Sequence, residues 1–186
     1  GAYVSAGDLA KAIPLYQATL TDRERILGPE HPDTLTSRNN LAYAYESAGD
    51  LAKAIPLYQA TLTDSERILG PEHPNTLTSR NNLASAYESA GDLAKAIPLY
   101  QATLTDSERI LGPEHPNTLT SRNNLAVALA KDGSLSSACS MLEHGLTMAT
   151  EDFGPDHPVT RQLAANLRGG AAAYEETAGS ADLATG

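Results

Sequence analysis

The chain has 186 residues, of which 41% are hydrophobic, 19% charged and 5% aromatic, and its net charge is −10. With 13 Lys and Arg against 23 Asp and Glu, it lacks the clustered cations that nucleic acid or an anionic membrane requires, so neither is expected as a partner. No apolar run approaches the roughly 20 residues that span a bilayer. No secretory signal pattern is visible, and the single Cys139 cannot pair within the chain, which points to a reducing, cytoplasmic setting.

The sequence is built from a repeat. Residues 28–69 and 70–111 are the same 42-residue string except at Asp33/Asn75 and Tyr43/Ser85. Residues 1–27 match 43–69 except at Gly1/Tyr43, Val4/Glu46 and Arg23/Ser65. The first unit is therefore expected to be truncated, and the chain to be a piece of something longer. It should hold a short helical stub over 2–6 and a second helix over about 8–26.

The full unit at 28–69 opens with Gly28-Pro29-Glu30-His31-Pro32, a loop signal followed by a proline suited to a first helical turn. Leu35, Leu41, Ala42, Tyr45 and Ala48 then recur near helical spacing, which predicts a helix A over about 32–48. Gly49 ends it and Asp50 is placed to cap a helix B over about 50–68. The apolar stripe of helix B is Leu51, Ala54, Ile55, Tyr58, Leu62, Ile68 and Leu69. Pro14, Pro56 and Pro98 fall early in their helices B, where a bend is expected rather than a break.

The same reading gives hairpins at 70–111 and 112–153, the last with a divergent helix B. A capping helix over 154–168 and a flexible Ala/Gly/Ser/Thr-rich tail over 169–186 follow. The expected fold is all-α, a superhelical solenoid of antiparallel hairpins.

Leu41, Ala42, Tyr45, Gly49, Ala54 and Tyr58 each recur 42 residues on. In this spacing the chain resembles the tetratricopeptide repeat over about 1–168. The 42-residue period, the LGPEHP loop and the NNLA string are similar to the kinesin-light-chain subtype, which is also common in bacteria. Two positions depart from the family pattern, Arg38 at its Trp position and Thr61 at a late Ala, and both imply looser packing between hairpins.

The resemblance implies a non-catalytic interaction scaffold with helix A lining a concave groove. The groove positions fall on Thr36, Asn39, Asn40, Tyr43, Glu46 and Ser47, then on Thr78, Asn81, Asn82, Ser85, Glu88 and Ser89. In the last full unit they fall on Thr120, Asn123, Asn124, Val127, Ala130 and Lys131. The paired asparagines match an Asn ladder that holds the backbone of an extended peptide. An amide offers a donor and an acceptor, so it can read a peptide bond whatever the side chain. Alternatively, one Asn of each pair ties neighbouring helices, and Asn40, Asn82 and Asn124 are the better candidates for the ladder. The positions that vary between otherwise identical units, Gly1/Tyr43/Ser85/Val127 and Val4/Glu46/Glu88/Ala130, either select the partner or drift freely as solvent-facing sites.

Two other readings belong to different classes. One is the sensor arm of a larger signalling NTPase of the NB-ARC kind. The other is a self-assembly module that joins copies through exposed array ends. Catalysis, cofactors and metal are not expected. His31, His73, His115 and His157 recur once per unit and suit helix starts better than a shared metal site. Pairs such as Asp64/Glu66 lack a walled site, and no phosphate-binding GxxxxGK[ST] string occurs. Cys139 reads as a small core residue on a helix B.

Overall fold

The computed structural model describes residues 9–184, with side chains described over 9–172. The described residues form eight helices and no strand: α1 Leu9–Leu27, α2 Pro32–Ser47, α3 Leu51–Leu69, α4 Pro74–Ser89, α5 Leu93–Leu111, α6 Pro116–Lys131, α7 Leu135–Phe153 and α8 Pro158–Ala184. The stub expected over 2–6 lies outside the described residues. Two compact units divide within α5, one over Gly1–Leu99 and one over Tyr100–Gly186.

Each helix boundary has a local cause. His31 sits in extended backbone ahead of Pro32, and its Nδ1 accepts from the Asp33 N–H at 3.1 Å. His73 and His115 do the same for Asn75 and Asn117, both at 3.1 Å, and His157 accepts from Val159 at 3.3 Å. The repeated histidine is thus a helix-start acceptor for an N–H that no earlier turn can satisfy. Helix α2 ends at Gly49, whose φ of +77° only glycine adopts freely. The Asp50 N–H bonds Tyr45 O and the Gly49 N–H bonds Glu46 O, both at 2.9 Å. That pattern closes the helix and turns the chain into α3. Asp50 then caps α3 by accepting from the Lys53 N–H at 3.2 Å. Gly70 holds φ +92°, ψ 157°, a region open essentially to glycine alone.

In the first unit α1 packs on α2, α2 on α3, α3 on α4, and α2 also meets α4. The core is Leu41, Ala42, Tyr45, Ala54, Tyr58, Leu62, Leu83 and Ala86. In the second unit α6, α7 and α8 pack mutually around Leu119, Ala126, Ala138, Leu142, Ala149 and Leu163. Small alanines at 0% exposure let helices approach closely, which offsets the scarcity of aromatics.

Three expectations change. Helix α8 does not stop at Arg168 before a flexible tail but runs to Ala184. Gly169-Gly170 costs about 1 kcal/mol per residue against Ala, yet keeps its backbone N–H groups. No proline follows Pro158, and three alanines come next. Arg38 and Thr61 do not mark loose packing: Arg38 is 9% exposed and Thr61 0%. Cys139 is half-buried rather than core, with its Sγ 3.4 Å from where a Cβ on Gly170 would lie.

Candidate functional site

Helices α2 and α4 are consecutive helices A of the first unit. Asn39, Asn40 and Thr36 from α2 and Asn82 and Thr78 from α4 line one cleft of about 140 Å³, with Ser65 and Ser79 also on its walls. Every residue lining it is uncharged. The paired asparagines divide the work, because successive residues on a helix point about 100° apart. Asn39 is half-buried and its Nδ2 donates to Ser79 Oγ at 2.8 Å, tying α2 to α4. Its Oδ1, and the hydroxyl of Ser65, find no partner among the described residues. Asn40 is exposed and Asn82 half-buried, and no side chain among the described residues engages either amide.

The second unit repeats this with a change. Thr120, Asn123 and Asn124 from α6 and Pro158, Val159 and Gln162 from α8 line a cleft of about 350 Å³. Leu163 stands on α8 where Ser79 stands on α4, so the hydroxyl that would hold Asn123 is gone. Asn166 takes over: its Nδ2 donates to Asn123 Oδ1 at 2.8 Å.

The remaining groove positions scatter by environment. Tyr43 is 54% exposed. Ser47 and Lys131 are exposed, and Asn81, Glu88, Val127 and Ala130 are half-buried. Thr36, Thr78 and Thr120 bend their hydroxyls back to Pro32, Pro74 and Pro116 carbonyls at 2.9–3.0 Å. Glu46 is half-buried and accepts from three hydroxyls: Tyr58 at 2.9 Å, Ser85 at 3.0 Å and Ser89 at 3.3 Å. Three groove positions therefore share one network with a buried tyrosine of α3. Burial first, and then the Glu46 charge, pushes the Tyr58 hydroxyl far above its ordinary range, so it stays a donor.

Sequence reasoning missed a set of buried cations. Arg38 donates to Asp64 at 2.7 Å and lies 3.7 Å from Glu24, joining α2 to α3 and α1. Arg80 pairs with Glu66 at 3.3 Å, and Arg122 pairs with Glu108 and contacts His144 Nδ1 at 3.3 Å. The signal was present: one Arg and a set of acids recurring at the 42-residue period. A second repeated contact joins Gln17 to the Tyr45 hydroxyl at 2.7 Å, with Lys53 Nζ 5.2 Å from that ring. Gln59, Tyr87 and Lys95 reproduce it.

The tetratricopeptide repeat profile matches residues 1–64, 40–105 and 81–151. The chain belongs to the tetratricopeptide repeat family. Among solved structures, a single-substitution variant of nearly identical TPR-like repeats from a kinesin-light-chain-like protein of Podosopora anserina is 26% identical. It aligns over 98% of this chain and 86% of its own with a TM-score of 0.81. The unsubstituted form gives 26% identity, 98% and 87% coverage and a TM-score of 0.79. BtubC (BKLC) from P. vanneervenii gives 26% identity, 93% and 69% coverage and a TM-score of 0.78. No curated protein matches the chain. The TPR chain is thus of the kinesin-light-chain-like kind, an all-α solenoid class. TPR arrays serve protein–protein interaction and are generally non-catalytic. No helix among the described residues is long and apolar enough to cross a membrane.

Proposed function

We propose that this chain is an interaction scaffold that binds an extended peptide segment of a partner protein along its helix-A clefts. The observation that carries the reading is the convergence of Asn39, Asn40 and Asn82 on one uncharged cleft. Asn39 is committed to Ser79, which leaves Asn40 and Asn82 to meet a peptide bond. An amide pair of this kind is sequence-tolerant, because each peptide unit presents one N–H and one C=O. Asn124 holds the corresponding position in the second cleft, where its Oδ1 accepts from Asn123 Nδ2 at 3.5 Å.

The test is a random peptide display library panned on the 186-residue chain and on an Asn40/Asn82/Asn124→Ala variant. Enriched peptides that lose binding to the variant, with its thermal midpoint unchanged, support the reading. Enrichment that survives the triple substitution contradicts it.

A further inference from the structure

We propose that Glu46 and Tyr43 form a subsite for one cationic side chain, lysine or arginine, of the bound partner; this rests on the peptide-binding reading. The Glu46 carboxylate accepts only neutral hydroxyls, from Tyr58, Ser85 and Ser89. No Lys, Arg or His among the described residues pairs with it, whereas Glu24, Glu30, Glu66 and Glu108 each face an arginine. Three hydroxyl donors hold the carboxylate in place but bring no positive charge to it. A half-buried anion is stabilised most by a cation brought to it, since the local dielectric is below that of water.

Tyr43 supplies the second contact. It lies three residues before Glu46, so the two side chains share one helix face at about 5–6 Å between Cβ atoms. With 54% of its surface exposed, the Tyr43 ring is open to a cation that reaches the carboxylate across its face. Ser85 matters by being small. It occupies the Tyr43 position of the next unit, donates to Glu46 and leaves the approach open. The corresponding residues further on are Val127 and Ala130, which hold no charge, so this chemistry is not repeated in the last unit. The net charge of −10 also favours encounter with a cationic segment.

The probe is N-acetyl-argininamide, titrated into the isotopically labelled full chain and followed by NMR, with N-acetyl-glutamine amide as the neutral control. The expected result is saturable shifts at Tyr43, Glu46, Ser85 and Ser89 with the arginine probe alone. Salt should weaken them, and Glu46→Gln should abolish them. Glu46→Gln keeps an oxygen for the hydroxyls. Tyr43→Ser, at an exposed position where the next unit already has Ser, is a second variant that should weaken binding severalfold without unfolding. Shifts absent from these residues, or equal in both variants, overturn the subsite. Argininamide binding without any enriched peptide would leave the subsite standing and defeat the scaffold reading. Enriched peptides without a basic residue, and no argininamide shifts, would do the reverse.

Discussion

Arg38 carries a full charge at 9% exposure, and the protein tolerates it because Asp64 and Glu24 come from two other helices to meet it. Removing one partner of such a group leaves the other badly solvated. Arg38→Gln is expected to cost about 2 kcal/mol, read by urea denaturation at neutral pH. The bond from Arg38, then that from Arg67, holds the Asp64 carboxyl below the ordinary aspartate range. A depressed folded-state pKa contributes stability that is fully present above the ordinary aspartate value of about 3.9. It is lost as the pH falls through the lower folded value. The gap between wild type and Arg38→Gln should therefore narrow as the pH falls below the ordinary aspartate value. An equal gap at neutral and strongly acid pH would contradict this assignment. Glu46 teaches the same lesson about legibility. Its partners lie 12, 39 and 43 residues away, and no local pattern announces them.

The helices show which signals are strong. Each 42-residue unit opens on His-Pro, and the units at 28–69 and 70–111 carry Gly-Asp at the turn, where the caps of α2 and α3 fall on those residues. The unit at 112–153 has Gly133-Ser134 instead, and Ser134 makes no side-chain cap bond. Proline and glycine act differently inside a helix. Pro56 removes one backbone donor, yet α3 runs unbroken from Leu51 to Leu69. The fourth helix B has Ser140 at that position and is the same length. Pro56→Ala is expected to restore the bond to Ala52 and raise stability by about 1 kcal/mol or more, read as a higher urea midpoint. A lower midpoint would mean that packing depends on the proline. In α8 the Gly169-Gly170 pair reads as a stop in sequence, because nothing local shows that the alanines beyond it continue the helix. Gly169 meets no atom within 4 Å of where a Cβ would stand. Gly169→Ala should then add about 1 kcal/mol of helix stability and visible helical circular dichroism. A frayed tail would show neither change.

At the scale of the molecule, near-identity of the units has two consequences. Fold class was legible because the same periodicity and the same turn residues appear several times, so a chance pattern is excluded. The candidate site was legible only to the level of the helix face. That face carries two asparagines per unit, and which one is spent on packing depends on Ser79 in one unit and Asn166 in the other. The second asparagines of the pairs, exposed Asn40 and half-buried Asn82, are the ones on which the account depends. The measurement that tests it most directly is a crystal structure of the chain with an enriched peptide bound. The account predicts an extended peptide whose backbone N–H and C=O groups lie at about 2.9 Å from the Asn40 and Asn82 amides. A peptide seated on the helix-B face, or one held in the cleft by side chains alone with no backbone bond to either asparagine, would contradict it.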